Sequence, residues 1–151
     1  MATTLKEAIA AMQAELLPQI PEDVVNQLIG AVGDMVASGM DKRARTVGDK
    51  IPSFTLSDAN GQKRTLAEFL ADGPVVLSFY RGAWCPYCNV ELHALQDALP
   101  QIKEAGAQLV AISPNTPDHS LSSVEKHNLA FPVLSDIGNT VARELGLVFS
   151  L

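Results

Sequence analysis

Cys85 and Cys88 are the two cysteines of this 151-residue chain, and they stand as Cys-x-x-Cys within Trp84-Cys85-Pro86-Tyr87-Cys88. On a helix, residues three apart are neighbours with Cβ atoms about 5–6 Å apart, a spacing that a disulfide bridges after small adjustment. Such a dithiol exchanges electrons through one attacking and one resolving sulfur. The attacking sulfur must be a thiolate. A cysteine at a helix N-terminus meets unpaired backbone N–H groups and the positive end of the dipole, and its pKa falls to roughly 3.5–7.5. Cys85 lies nearer the helix end and is assigned the attack, with Cys88 as the resolving sulfur. Pro86 suits the first turn, where its missing N–H costs no hydrogen bond. Trp84, Pro86, Tyr87 and Arg81 are the residues expected to meet substrate. Trp84 would shield the dithiol and offer an apolar surface, and Arg81 would add positive charge four residues before Cys85. The plainer readings stay open: ordinary packing for Trp84, a solvated loop side chain for Arg81.

The flanking sequence explains why the cysteines should sit at a helix start. Val75-Val76-Leu77-Ser78-Phe79-Tyr80 is an apolar run bounded by Gly73-Pro74 and Arg81-Gly82, which suits a fully buried strand. Leu92, Leu95, Leu99 and Ile102 then recur at steps of three and four, on one face of a helix. Pro100 is expected to kink or break that helix. Upstream, Ile51–Ser57 reads as a strand, Asp58-Ala59-Asn60-Gly61 as a turn, and Thr65-Leu66-Ala67-Glu68 as a capping box opening a short helix through Leu70. Downstream follow a strand at Gln108–Ser113 and a helix from Pro117 to about Asn128 capped by Thr116. A short strand at Val133–Ser135 and a last helix from Asp136 to Gly146 complete the pattern. Alternation of this kind predicts an α/β domain with a mostly parallel sheet.

The first 45 residues differ. Leu5, Ile9, Met12 and Leu16 mark one helix, capped by Thr3 or Thr4 and stopped by Pro18. Val24, Val25, Leu28, Ile29, Val32, Met35 and Val36 mark a second, opened by Pro21-Glu22-Asp23 and closed near Gly39. The pair reads as an N-terminal helical extension, residues 1–45, packing on the core or on a second copy. The charged connector Asp41–Thr46 leads into the main domain, residues 46–151.

Composition narrows the function. Hydrophobic residues make up 47% and charged residues 19%, a globular balance. Eleven Lys and Arg against 17 Asp and Glu leave a net charge of −6, which argues against general affinity for nucleic acid or acidic membranes. Met1–Leu17 lacks the basic start and apolar core of a secretory signal, and no stretch reaches the roughly 20 apolar residues of a membrane span. A cytoplasmic location is expected, where a Cys-x-x-Cys pair works in redox chemistry or metal binding rather than as a staple. A structural zinc site needs four ligands. His93 lies near the cysteines, but His119 and His127 fall on a separate segment, so metal binding is the weaker reading. The three histidines read as surface residues. No metal, flavin or nucleotide signature appears, and no cofactor is expected.

Four motifs then carry a family resemblance: Phe54-Thr55-Leu56-Ser57-Asp58-Ala59-Asn60-Gly61, Phe79-Tyr80-Arg81, Val110-Ala111-Ile112-Ser113-Pro114 and Phe131-Pro132-Val133-Leu134-Ser135-Asp136. In this order and spacing the chain resembles the alkyl hydroperoxide reductase and thiol-specific antioxidant (AhpC/TSA) family, which contains the peroxiredoxins, from about Val47 to Phe149. The resemblance implies a thioredoxin-like fold. Trp84-Cys85-Pro86-Tyr87-Cys88 itself is similar to the thioredoxin and glutaredoxin active-site motif. Two departures stand out. Peroxiredoxins typically show P-x-x-x-T-x-x-C, in which the Thr hydroxyl contacts the reactive sulfur and the peroxide; here the Thr position holds Gly82 and the Pro position Ser78. In the family, two strands and a helix also follow the helix matching Asn139–Leu145, bringing a cis-proline or an active-site arginine. Here Leu147-Val148-Phe149-Ser150-Leu151 ends the chain. A truncated chain and a sheet completed by another chain are both open readings, and one open side of the Val75–Tyr80 strand makes a homo-oligomer expected.

Three functions compete on this basis. The first is a peroxidase, in which Cys85 attacks peroxide and Cys88 resolves the sulfenic acid. The second is a thiol-disulfide oxidoreductase acting on a substrate disulfide. The third is a non-catalytic redox-sensing or binding domain. The resemblance favours the first, with an external thiol such as thioredoxin or glutathione as reductant; the Cys-Pro-Tyr-Cys turn and the missing Thr favour the second.

Overall fold

The computed structural model describes residues 4–149, for Ser123 the backbone alone. Thr3, the alternative helix cap, lies outside the described residues, as do Ser150 and Leu151. The chain divides into two compact units, one of Met1–Pro52 with Ala142–Leu151 and one of Ser53–Val141.

In the first unit, helices α1 (Leu5–Leu16) and α2 (Glu22–Ala37) follow the apolar periods of the sequence. Thr4 is the N-cap of α1. Its hydroxyl accepts from the Glu7 N–H, and the Glu7 carboxylate accepts from the Thr4 N–H at 2.8 Å, a reciprocal capping box. A 3₁₀ turn over Leu17–Gln19, with Pro18 in it, ends α1, and Gly39 in a left-handed conformation follows α2. A short helix α6 (Thr140–Glu144) leads back into this unit, where the Arg45 N–H donates to the Leu145 carbonyl at 3.1 Å.

The second unit holds the sheet. Its strands are β1 (Thr55–Asp58), β2 (Lys63–Thr65), β3 (Val75–Phe79), β4 (Gln108–Ser113) and β5 (Val133–Ser135), in the order β2-β1-β5-β4-β3. Strands β3, β4 and β5 run parallel, whereas β1 is antiparallel to both its neighbours. Helices α3 (Leu66–Ala71), α4 (Pro86–Glu104) and α5 (Pro117–His127) connect them. The core brings Leu92 and Leu99 of α4 against Leu109, Ala111, Leu129, Phe131 and Val133, with Leu95 and Ile102 at its border. This is the apolar face that the spacing of α4 predicted.

Several expectations need correction. The strand expected at Ile51–Ser57 begins only at Thr55, because Pro52 has no N–H to give a ladder. The Phe54 carbonyl instead accepts from the Leu66 N–H at 3.2 Å. Asp58, read as a turn residue, ends β1, and its carboxylate accepts from the Asn60 and Gln62 N–H groups, both at 2.9 Å. Strand β2 went unread because Lys63-Arg64-Thr65 carries no apolar residue. Pro100 does not break α4, which runs on to Glu104; the proline sits on the exposed face of the helix, while Leu99 and Ile102 keep the opposite face packed. The last helix is short, since Gly138 and Asn139 both adopt positive φ, and Asp136 accepts from the Val141 N–H at 3.1 Å instead of starting it. Finally, β3 is not fully buried: it is an edge strand, and Val76 is 41% exposed.

Helix α4 is tied to α5 by polar contacts as well. The Ala130 N–H donates to Gln96 Oε1 at 2.7 Å. Nε2 of His93 and Nδ1 of His127 share one hydrogen bond at 2.9 Å, with their rings edge to face. His127 is buried rather than on the surface as expected, while His119 is exposed beside Asp118. Burial, then the neighbouring His93 and Lys126, hold the His127 pKa below the ordinary histidine value. Above about pH 6.5 the imidazole is neutral both folded and unfolded. Below it, the unfolded chain takes a proton that the fold refuses, so stability must fall with pH from about 6.5 downward. Urea unfolding midpoints should show this loss, and His127→Gln should flatten it; an unchanged slope would remove His127 as the source.

Candidate active site

The ladder from β3 continues one residue beyond the strand, where the Tyr80 N–H donates to the Ile112 carbonyl at 3.0 Å. The chain then turns tightly, with the Cys85 N–H donating to the Gly82 carbonyl at 3.1 Å. Asn89, one helical turn into α4, reaches back to donate from Nδ2 to the Ala83 carbonyl at 3.0 Å. These bonds fix where Cys85 enters the helix. Cys85 is the N-cap of α4, Pro86 is its first residue, and Cys88 lies in its first turn.

As N-cap, Cys85 uses its sulfur in the way that a Ser or Asp oxygen is used elsewhere: Sγ accepts from the Cys88 N–H at 3.4 Å. A second donor comes from the loop. Nη2 of Arg81 lies 3.1 Å from Cys85 Sγ. Burial opposes the Cys85 thiolate, but hydrogen bonds from the Cys88 side chain and backbone, followed by the Arg81 hydrogen bond and charge, outweigh it and hold the thiol below its ordinary value. Cys88 moves the other way. Burial first, then its hydrogen bond to Cys85, push it up, against the pull of the Arg81 and Gly82 backbone N–H groups. One sulfur favours the anion and its partner keeps the proton. Both cysteines are free thiols within the hydrophobic core, and Cys85 has no exposed surface at all. A substrate therefore reaches that sulfur only after a neighbouring side chain moves.

Trp84 is 69% exposed, and its ring centroid lies 5.0 Å from the Arg81 guanidinium carbon. Gly82 sits beneath this pair with φ +150°. A Cβ there would come within 2.7 Å of the indole Nε1 and 3.0 Å of Asn115 Oδ1. The position that resembles the peroxiredoxin threonine is thus filled from outside by Trp84 and Asn115.

Of the residues singled out from the sequence, Cys85, Cys88, Arg81 and Trp84 form one connected group. Pro86 and Tyr87 occupy the helix start between the sulfurs, with Tyr87 exposed. Asn89 and Asn115 were not foreseen. No spacing rule marks Asn89, and Asn115 is brought in by the loop after β4, where its N–H donates to Ser113 Oγ at 3.0 Å.

The AhpC/TSA family profile matches residues 47–151. A chloroplastic peroxiredoxin Q of Populus jackii is 37% identical over 100 residues, covering 66% of this chain and 46% of the relative. The thiol-disulfide oxidoreductase ResA of Bacillus thuringiensis subsp. konkukian is 30% identical over 124 residues, covering 80% of this chain and 70% of that protein. The crystal structure of the peroxidoxin BcpB from Mycobacterium tuberculosis superposes with a TM-score of 0.66 at 36% identity, over 69% of this chain and 68% of the other. The chain spans about half the length of the peroxiredoxin Q that it matches. The α/β architecture is the thioredoxin-like one expected from the motifs.

Replacing Arg81 by Met should raise the Cys85 pKa by about one unit and cut the thiolate roughly tenfold at a pH below it. The pH profile of iodoacetamide alkylation reads this directly, and an unshifted profile would leave the helix end as the sole source of stabilisation.

Proposed function

This chain belongs to the AhpC/TSA family, and from that premise we propose that it is a thiol-dependent antioxidant oxidoreductase of peroxiredoxin type. Residues 46–151 form the catalytic part, and residues 1–45 are a helical extension. One observation carries the proposal: the Arg81 guanidinium donates to Cys85 Sγ at 3.1 Å, alongside the Cys88 N–H at the start of α4. The Cys85 thiolate attacks a peroxide oxygen; an S–O bond forms as the O–O bond breaks, and the leaving alkoxide or hydroxide takes a proton from solvent. The resulting sulfenic acid is attacked by the Cys88 sulfur. An S–S bond forms, the S–O bond breaks, and hydroxide leaves as water with the Cys88 proton. An external thiol, such as thioredoxin or glutathione, returns two electrons by exchange. Trp84, Pro86 and Tyr87 face the incoming partner, and no cofactor enters the cycle.

A second reading rests on Gly82. With no hydroxyl at this position and a Cys-Pro-Tyr-Cys turn, the same pair of sulfurs is suited to disulfide exchange, and the ResA relative is a thiol-disulfide oxidoreductase by name. Cys85 would then attack a substrate disulfide, and Cys88 would resolve the mixed disulfide. Among the described residues no helix is long and apolar enough to cross a membrane. We place the activity in the cytoplasm, where thiol reductants abound.

Stopped-flow oxidation of the reduced protein, followed by Trp84 fluorescence, separates the readings. Fast, saturable reaction with hydrogen peroxide supports the peroxidase; slow reaction with peroxide and rapid reaction with a small disulfide support the exchange enzyme. Cys85→Ser should abolish either activity, and Cys88→Ser should trap the sulfenic acid or the mixed disulfide. Activity that survives Cys85→Ser would overturn the assignment of roles.

The outer edge of β3 adds a partner. The Pro74 carbonyl and the Tyr80 N–H bond toward β4, so by alternation the N–H and C=O groups of Val75, Leu77 and Phe79 point away from it. Among the described residues no strand pairs with that side. An unpaired apolar edge recruits a strand, and a homo-oligomer should form. Light scattering at high protein concentration should find it; a monodisperse monomer is the opposing result.

A further inference from the structure

Arg81 is an unusual arginine in its setting. Its guanidinium carries a positive charge and donates to the Cys85 sulfur at 3.1 Å, yet among the described residues no carboxylate forms an ion pair with it. An arginine side chain on a loop has several freely rotating bonds, and holding it in one geometry is costly unless something limits its rotamers. An acidic partner is the usual restraint. The group in contact with this guanidinium is instead the face of an indole, with the ring centroid 5.0 Å away, well inside the range of a cation–π attraction.

The indole is itself held in place by unusual means. Trp84 is 69% exposed, so burial does not explain its position. Its Nε1 and Cδ1 atoms lie over Gly82, where any side chain would collide with them. The turn from Arg81 to Cys85 thus has a glycine where a ring needs space, a tryptophan that uses the space, and an arginine against that ring and the sulfur.

We propose that Trp84 is a positioning residue for the thiolate: its indole face holds the Arg81 guanidinium against Cys85 Sγ. The inference rests on the assignment of Cys85 as the attacking sulfur and deepens it, because it makes an exposed aromatic ring part of how that sulfur is charged. The ring and the sulfur act on one guanidinium, so the effect of Trp84 on the thiolate must pass through Arg81.

The test is the pH titration of Cys85, read both as thiolate ultraviolet absorbance and as alkylation rate, in Trp84→Leu, Trp84→Phe, Arg81→Met and the double variant Trp84→Leu/Arg81→Met. Trp84→Leu should raise the Cys85 pKa by about half a unit to one unit, a roughly three- to tenfold loss of thiolate at a pH below it. Trp84→Phe keeps a ring face and should retain most of the thiolate. On the Arg81→Met background, removal of the indole should add nothing. An unshifted titration in Trp84→Leu, equal shifts in the Leu and Phe variants, or additive shifts in the double variant would each overturn the proposal. The Phe variant decides the matter if Trp84→Leu fails to fold. A loss of reaction with a disulfide partner without any change of titration makes Trp84 a docking surface only, which also overturns it. Titrating Cys85→Ser in parallel keeps the two levels apart. If the low-pKa thiolate persists there, it is the assignment of Cys85 that fails, whereas a failure of the indole's role appears in the Trp84 variants alone.

Discussion

The donation of the Arg81 guanidinium and the Cys88 N–H to one sulfur inside an apolar core is the interaction on which the second unit's site depends. Burying an ion without compensation costs several kcal/mol, and Cys85 has no exposed surface. Compensation comes from two directions. The start of α4 offers a backbone N–H at 3.4 Å, and the loop after β3 offers a guanidinium at 3.1 Å. Neither donor is close by accident of sequence. The first requires α4 to begin at Pro86, which Pro86 itself favours. The second requires the loop to fold back over its own turn, held by the Gly82 carbonyl on the Cys85 N–H and by Asn89 on the Ala83 carbonyl.

The rest of the unit keeps that junction from drifting. Leu92 and Leu99 anchor α4 on the sheet, and contacts from Gln96 and His93 to the residues around α5 fix its side. A shift of α4 by even a fraction of a turn would carry the Cys85 sulfur, which caps the Cys88 N–H, away from the Arg81 guanidinium. The two cysteines belong to the same hydrophobic cluster as these leucines, so packing and chemistry are not separable here. The sulfurs differ in acidity because the donors around Cys85 outweigh its burial, whereas burial prevails at Cys88.

Much of this was legible in the sequence. The apolar step of α4, the capping box at Thr65, Pro86 at the helix start and the strands at Gln108–Ser113 and Val133–Ser135 each rest on a local rule, and each stands in the structure. What escaped depends on residues distant in sequence or on polar groups with more than one choice. Thr116 was expected to cap α5 with its side chain; it starts the helix without that bond. His127 carries no mark of burial in its neighbours, yet the fold encloses it against His93. Lys63-Arg64-Thr65 pairs as a strand only because β1 lies beside it. In the site, the Cys-x-x-Cys spacing and Arg81 could be read directly, whereas Asn115 could not, since only the crossover from β4 brings it to Gly82.

The crowding over Gly82 has an evolutionary consequence. A threonine introduced at position 82 would strike the indole of Trp84 and the amide of Asn115. The tryptophan must shrink or swing aside before the hydroxyl can enter. Positions 82 and 84 are therefore epistatic. The order of substitutions at this turn therefore matters: a smaller residue at 84 leaves room at 82, whereas a side chain placed at 82 first meets occupied space.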